Sequence, residues 1–397
     1  VGTLSFEQAR ACVLSKVTEA RGVPRTESVR LSEAAGRVLA EPIAADRDFP
    51  SVARSVRDGF AVRAGDVPGE LQVIGEVRAG ESFAGDVKTG QSVEIMTGAP
   101  LPSGADAVVM VEHVSVAGDR VTVPRGLHPD ENVSPQGSQA RQNEIVLEPG
   151  CRLGFAEIAL LATAGRSSVS VFVRPQIALL ATGDEIVEVN QTPLPYQVRN
   201  SNVEALAVQV ARAGGRPRIL PVARDLYAAT RELVEQGLRS DMLALSGGVS
   251  AGKYDLVEKV LADLGAEFFF DRVQIMPGQP LVFGLARGKF FFGLPGNPAS
   301  TMVTFEIFAR SAVELLGGQK DAMLPLLWSR LVCDFHQKTG LTRFLPAQLS
   351  ADGSTVEPVP WQGSGDVPAL ARANAFLVTE PDRESWAAGD WIRVLLK

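Results

Sequence analysis

Cysteine and histidine are scarce in this chain, with three of each in 397 residues. Cys12, Cys151 and Cys333 lie far apart and form no Cys-x-x-Cys pair. No disulfide framework is expected, and a reducing, cytoplasmic setting is. His113, His128 and His336 are equally scattered, which argues against a His/Cys metal centre. Positive charge is not in excess either. Thirty-nine basic and 46 acidic residues give a formal net charge of −7, with no basic run interleaved with aromatics, so nucleic acid is not an expected partner. No apolar run approaches membrane-spanning length and no signal-peptide pattern opens the sequence, so no membrane association is expected. Internal repeats and long low-complexity tracts are absent. What remains is an ordinary globular composition, long enough for about two to four domains with sizeable cores.

Hydrophobic spacing divides the chain. Phe6, Ala9, Cys12, Val13, Val17 and Ala20 recur at helical spacing and predict a helix over 5–21 with Ser5 as its cap. A second helix is predicted over 32–40. From 46 to 135 short β-rich runs alternate with Gly and Pro, which predicts an inserted β-rich domain. Helical character returns at 154–164, so residues 1–45 and 136–171 are expected to form one helical or linker domain around the insertion. Over 172–317 strand and helix patterns alternate, which implies a three-layer α/β/α domain with a mostly parallel sheet. Its last helix is predicted over 298–316. Strand-like runs from 318 to 397 predict a small, barrel-like C-terminal β domain. The fold class is therefore multidomain α/β plus β.

The most informative stretch is 246–255, Ser-Gly-Gly-Val-Ser-Ala-Gly-Lys-Tyr-Asp. An apolar strand pattern enters it and a helical pattern leaves it. That arrangement cradles anions, because glycines let backbone N–H groups approach and the helix dipole adds to them. Gly247, four residues, Gly252 and Lys253 fit most of a P-loop, but Tyr254 stands where a P-loop needs Ser or Thr for Mg²⁺. Three readings stand: an NTPase P-loop, a ligand-free βα turn, and a phosphate-binding loop of another kind with Asp255 beside a metal or hydroxyl. The third is favoured.

Two more loops end strand patterns, Thr182-Gly183-Asp184-Glu185 and Leu294-Pro295-Gly296-Asn297-Pro298. If their strands are parallel, all three loops meet at one rim. They would bring together the hydroxyls of Thr182 and Ser250 with the carboxylates of Glu185 and Asp255, and Asp225 follows a fourth strand pattern. Carboxylates beside an anion cradle suit Mg²⁺ bridging to phosphate oxygens.

These three loops resemble the molybdopterin-binding domain of molybdenum cofactor biosynthesis proteins. Ser55-Val-Arg-Asp58-Gly59-Phe60-Ala61 resembles the pattern S-x-M-D-G-Y-A, and Ile95-Met96-Thr97-Gly98-Ala99-Pro100-Leu101-Pro102 resembles I-M-T-G-A-x-x-P. Together with the C-terminal β domain, five motifs in order identify the chain as similar to the multidomain, MoeA-type molybdopterin molybdenumtransferases. The resemblance implies insertion of molybdenum from molybdate into adenylylated molybdopterin with release of AMP, supported by Mg²⁺ or a similar divalent cation. It implies a homodimer with the site at the subunit interface. It also makes a molybdopterin adenylyltransferase and molybdoenzyme maturation proteins candidate partners. By the same resemblance Asp58, Thr97, Glu185, Asp225 and Asp255 are catalytic, with Glu185, Asp225 and Asp255 holding the metal. Thr182, Gly183, Asp184, Ser246, Gly247, Gly248, Ser250, Gly252, Lys253, Pro295, Gly296, Asn297, Pro298 and Ser300 bind the substrate. Ser300, Arg343 and Ser364 match molybdate-binding positions.

Several positions depart from the pattern, among them Arg57, Ser134 and Pro346, where the family often has Met, Arg and Arg. The family's M-K-P-G-K-P reads Ile275-Met276-Pro277-Gly278-Gln279-Pro280 here, so two lysines are replaced by Met276 and Gln279. An acidic pair is replaced by Ser138 and Gln139. A non-catalytic or specialised molybdopterin-binding paralogue is therefore the alternative expectation. The retained acids Asp58, Glu185, Asp225 and Asp255 favour the enzyme.

Overall fold

Four parallel strands form the centre of the α/β unit in this computed structural model, which describes residues 2–248 and 256–397. The sheet runs Arg216–Ile219, Gln176–Ala181, Met242–Ser246, Lys289–Leu294, Pro280–Ala286, Glu267–Arg272. The first four strands are parallel and the last two antiparallel. Gln176–Ala181, Met242–Ser246 and Lys289–Leu294 are apolar almost throughout because helices cover both faces. Alternate residues divide between two cores, as a pleated strand requires. Ile177, Leu179, Met242, Ala244, Phe290 and Phe292 face Ser201–Arg212 and the final helix, whereas Ala178, Leu180, Leu243, Leu245 and Phe291 face Tyr227–Gly237 and Leu256–Asp263. Arg216–Ile219 begins earlier than the apolar run at 219–222 suggests. It carries Pro217 and lies at the sheet edge, where a missing N–H is tolerated.

Helix Phe6–Ala20 starts with a capping box between Ser5 and Gln8 and buries Phe6, Ala9, Val13 and Val17 in the first of these two cores. The expected helix over 32–40 does not form. A single 3₁₀ turn at Leu31–Glu33 ends before Gly36, whose φ is +74°, and Val38 and Leu39 instead bridge to Arg152 and Val171. Thr26–Arg30 pairs with Ser168–Phe172 and Ile43–Ala44 with Ile145–Leu147. The segments flanking the β-rich stretch thus meet through strands, with helix Phe155–Thr163 packed beside them.

The β-rich stretch forms a six-stranded sheet in the order Ala107–Met110, Gly59–Val62, Gln91–Ile95, Gly69–Val77, Arg120–Val123, Ser115–Ala117. At the C-terminal end, Thr342–Leu349, Thr355–Pro358, Leu326–Leu331, Trp391–Leu396 and Ala375–Thr379 close into a five-stranded barrel, because the last strand pairs back onto the first. Ile275–Met276, from the α/β unit, joins Thr342-Arg343 in parallel as an added strand. No helix among the described residues is long and apolar enough to cross a membrane.

The single helix predicted over 298–316 is continuous but not uniform. Pro298–Thr304 and Arg310–Leu316 are α-helical, and Phe305–Ala309 between them is π-helical. A π turn breaks the regular ladder and leaves carbonyls to be satisfied from outside. Arg10 of the first helix does this. Its Nη1 donates to Ile307 O at 3.0 Å and Ser311 Oγ at 2.9 Å, and its Nη2 donates to Ala322 O at 2.5 Å. Arg10→Met keeps much of the aliphatic stem and removes these donors. It is expected to destabilise the protein by about 1–3 kcal/mol, read as a lower urea midpoint. An unchanged midpoint would show that the π turn does not depend on Arg10.

Candidate active site

A cleft of about 1460 Å³ opens at the carboxyl ends of Gln176–Ala181, Met242–Ser246 and Lys289–Leu294, the place where open α/β sheets bind ligands. It is larger than an ordinary drug-sized pocket of about 300–1,000 Å³ and has room for a dinucleotide-like molecule. All three sequence-predicted loops reach it.

The first loop extends its strand. Thr182 N–H donates to Ser246 O at 3.1 Å and Gly183 N–H to Ala223 O at 3.1 Å. Gly183 has φ +132°, and a Cβ there would lie 2.4 Å from Glu185 Oε2, so only glycine lets the Glu185 carboxylate fold over this turn. Thr182, Gly183, Glu185 and Asp225 line the cleft. Asp184 does not: its carboxylate accepts the Asp225 N–H at 3.3 Å and its carbonyl accepts Arg224 Nη1 at 3.0 Å. Asp184, expected at the substrate, holds the Asp225 loop through these two bonds.

Ser246, Gly247 and Gly248 line the second wall. Gly248 has φ +69°, and a Cβ would fall 2.6 Å from Val257 Cγ2 and 2.9 Å from Thr182 Oγ1. Ser250, Gly252, Lys253 and Asp255 lie outside the described residues. Asn202, which sequence reasoning missed, ties this wall to the next. Its Nδ2 donates to Ser246 Oγ and to Gly296 O, each at 2.8 Å, and its Oδ1 is buried without a partner among the described residues. Arg199 and Lys259 also reach the cleft unforeseen.

Pro295, Gly296, Asn297, Pro298 and Ser300 form the third wall at the start of the final helix. The Thr301 hydroxyl donates to Pro295 O and to Asn297 O. Asn297 Nδ2 donates to Ser364 Oγ at 2.9 Å and Ala299 N–H to Ser364 O at 2.9 Å. These bonds bring a C-terminal segment, Trp361 and Ser364-Gly365, onto the cleft. Trp361 was not anticipated, and it is the one aromatic side chain among the described lining residues.

Met276 and Gln279 line the fourth wall. The parallel pairing of Met276 with Arg343 sets Arg343 beside that wall rather than on it. The guanidinium contacts Met276 Sδ and donates to Lys338 O at 3.1 Å, and its Nε is buried and unpaired among the described residues.

Asp58 and Thr97 do not line this cleft. They pair with each other in the β-rich unit, where Thr97 N–H and Oγ1 donate to Asp58 Oδ1 at 2.6 and 2.7 Å. Ser138 and Gln139 also lie off the cleft. Ser138 Oγ is 3.2 Å from Ser134 Oγ, and Gln139 N–H donates to Phe49 O at 2.9 Å. Among the described residues no group of three or more His, Cys, Asp and Glu converges, so the cleft shows two acids, Glu185 and Asp225.

The amide and hydroxyl of Thr97, in that order of effect, hold the Asp58 carboxyl below its usual range. Because folding lowers this pKa, the contribution to stability is present above the ordinary carboxylate range and is lost as the pH falls through the depressed value. Thr97→Val removes one donor and keeps the amide. The Asp58 carboxyl is then expected to titrate at higher pH, nearer its ordinary value, as followed by carboxyl ¹³C NMR. An unshifted titration would remove the hydroxyl from this account.

Comparison with known proteins agrees with the geometry along the whole chain. Residues 4–165 match the family model of the MoeA N-terminal region (domain I and II), residues 178–315 match a "probable molybdopterin binding domain", and residues 329–397 match the MoeA C-terminal region (domain IV). The molybdopterin molybdenumtransferase of Staphylococcus epidermidis RP62A is 32% identical over 403 residues, covering 99% of this chain and 95% of that protein. That of Staphylococcus aureus N315 is 32% identical over 379 residues, covering 93% and 90%. The crystal structure of a molybdopterin biosynthesis MoeA protein from Pyrococcus horikoshii OT3 superposes with a TM-score of 0.81 at 27% identity, covering all of both chains. Identity of this order over nearly the full length of both proteins, together with the three family-model matches, places the chain in the MoeA family.

Proposed function

We propose that this chain is a molybdopterin molybdenumtransferase that inserts molybdenum from molybdate into adenylylated molybdopterin and releases AMP. The observation that carries this reading is the composite cleft. Gly-rich strand-end loops and two carboxylates form one side of it, and a segment of the C-terminal unit and the Met276–Gln279 turn form the other. Such a cleft can hold a nucleotide phosphate and a second anionic group at once. The P-loop reading has no support beyond the spacing of Gly247, Gly252 and Lys253, since Tyr254 supplies no metal-binding hydroxyl near the backbone.

Glu185 and Asp225 offer hard oxygen donors on the cleft. That donor set fits Mg²⁺, which takes one or two carboxylates with substrate phosphate oxygens and keeps several waters. Asp255 is the third acid of the proposed set. When bound, the ion would neutralise charge at the phosphoanhydride. The chain's own groups position the substrate: Asn202 fixes the Ser246 and Gly296 walls relative to each other, and Ser300 and Ser364 present hydroxyls beside the start of the final helix. Gln279 presents amide donors on the fourth wall. The protein is proposed to work in the cytoplasm, receiving its substrate from a molybdopterin adenylyltransferase.

Asp58 and Thr97 lie off the cleft of their own chain. This supports a homodimer in which the β-rich unit of one subunit completes the cleft of the other. In a two-fold dimer, mixing inactive Asp58→Asn and Glu185→Gln chains gives hybrids with one intact site. Remixing is expected to recover about a quarter of wild-type activity. Failure to recover activity from two folded, mixed variants would place Asp58 on its own subunit's site.

The direct test supplies adenylylated molybdopterin, Mg²⁺ and molybdate. AMP release that depends on molybdate is expected, and Glu185→Gln or Asp225→Asn is expected to lower it about 10²-fold or more, as for loss of a charge-stabilising group in a catalytic site. Tight binding without turnover would overturn the enzyme reading.

A further inference from the structure

The cleft is lined unevenly. Glu185, Asp225 and the Gly-rich strand ends stand on one side, and Met276, Pro277, Leu341 and Trp361 give the other side an apolar surface. Leu341 lies near Met276 because Thr342-Arg343 pairs in parallel with Ile275-Met276. Of the four tryptophans, Trp386 is buried in the barrel and Trp328 and Trp391 are exposed on its strands, so Trp361 alone reaches the cleft. Neither the phosphates nor the metal of the proposed reaction has a use for an indole ring.

Trp361 is half-buried. Part of its surface packs against the large core shared by the α/β and C-terminal units, and part lines the cleft. The backbone is fixed on both sides of it. Val359 N–H donates to Pro346 O in the barrel at 2.8 Å, and Gln362 N–H donates to the Asp366 carboxylate at 2.9 Å. Asp366 also caps Val367–Arg372 through Ala369 N–H at 2.9 Å. Ser364, in the same segment, is bonded to Asn297 and Ala299 at the start of the final helix. A ring held on so fixed a backbone loses little conformational freedom when a ligand arrives.

An aromatic platform of this kind suits a flat nitrogen heterocycle, which stacks through its π face. The proposed substrate carries two such rings, a pterin at one end and adenine at the other, with phosphates between them. The strand-end loops and the two acids suit the phosphates. The dithiolene that accepts the metal belongs to the pterin end. That end therefore lies toward the hydroxyls of Ser300 and Ser364, where molybdate is expected, and Trp361 precedes Ser364 in the pinned segment. We propose, building on the molybdenumtransferase reading, that Trp361 stacks on the pterin ring of the substrate and so orients the dithiolene toward those hydroxyls.

The test uses the full chain and measures binding apart from turnover, with molybdopterin and AMP as separate ligands under anaerobic conditions. Trp361→Leu keeps an apolar side chain against the core and removes the ring. It is expected to weaken molybdopterin binding about tenfold and to leave AMP within about twofold. Trp361→Phe keeps a ring and is expected to recover most of the molybdopterin affinity. Variants that lower Tm without separating the two ligands would show a purely structural tryptophan and overturn the proposal. Weaker AMP binding with molybdopterin unchanged would put adenine on Trp361 and also overturn it. In protein carrying 5-fluorotryptophan, the ¹⁹F signal missing from Trp361→Phe belongs to Trp361. That signal is expected to shift with molybdopterin and not with AMP, which decides the matter if Trp361→Leu does not fold; an unmoved signal would overturn the stacking role. A Trp361→Leu chain that binds molybdopterin normally and still releases AMP with molybdate overturns the stacking role alone. Loss of molybdopterin affinity in Trp361→Leu, with no turnover by the wild type, overturns the enzyme reading alone.

Discussion

The packing of Phe6 against Phe308 and Phe344 holds together the parts that form the cleft. The three rings come from the N-terminal helix, the π turn of the final α/β helix and the first strand of the barrel, with edge-to-face centroid separations of 5.7 and 5.2 Å from Phe6. Each such pair adds about 0.5–1.5 kcal/mol beyond the burial of its area. Leu370, Phe376, Val378 and Leu395 of the C-terminal unit belong to the same continuous core as the α/β strands. The walls of the cleft supplied by the C-terminal unit are therefore fixed by shared core as well as by the Ser364 hydrogen bonds. The β-rich unit differs, because its buried residues form two clusters of their own, one around Phe60, Leu71 and Val109 and one around Val77, Val93 and Ile95. A unit with its own core can carry Asp58 to a site it does not help to fold.

The final helix links that core to the chemistry. At its N-terminal end it presents Pro298 and Ser300 to the cleft, and toward its C-terminal end Arg310 binds Glu306 at 2.7 Å and Glu314 at 2.8 Å along one face. Burial raises the Glu314 pKa against the opposing pull of Arg310, so the ladder carries a real desolvation cost. Gln209 Nε2 reaches across from the neighbouring helix to Met302 O at 3.0 Å and Glu306 Oε2 at 3.2 Å, and Arg21 caps Leu315 O at 2.8 Å. With Arg10 on the π turn, side chains from two other helices satisfy the backbone of this one. Its irregularity is thereby a fixed feature, and the walls it carries are held in register with the sheet.

Much of this was legible because it is encoded locally. The buried strands are runs of apolar residues with no alternation, the glycine turns mark strand ends, and Ser5 marks a helix start. The features that were not legible depend on partners distant in sequence. Gly36 ends the predicted second helix, but what replaces that helix is bridging to Arg152 and Val171, more than a hundred residues away. Asp184 and Glu185 are chemically similar neighbours, and only the Asp225 backbone decides which of them turns off the cleft. Asn202 is one polar residue in a helix, and nothing in its local pattern shows that its amide reaches both Ser246 and Gly296. Trp361 enters the cleft because Ser364 is bonded to Asn297 and Ala299, which no periodicity reveals.

The neutral residues at 276 and 279 acquire a definite meaning from the barrel. A charge-assisted hydrogen bond contributes about 1.5–3 kcal/mol, about one to two decades in affinity, so replacing two cations with Met276 and Gln279 weakens any anion subsite on that wall. The added strand Ile275–Met276 sets Arg343 beside the same wall, with its guanidinium against the Met276 sulfur. The positive charge there stands behind a polarizable thioether instead of at the surface of the cleft. Gln279 contributes amide donors and no charge, and Ser300 and Ser364 contribute hydroxyls at the adjoining helix start. Any anion bound on this side of the cleft would therefore meet neutral donors backed by one guanidinium. Such donors discriminate by geometry more than by long-range attraction, so binding here would be less sensitive to ionic strength than in a lysine-lined pocket.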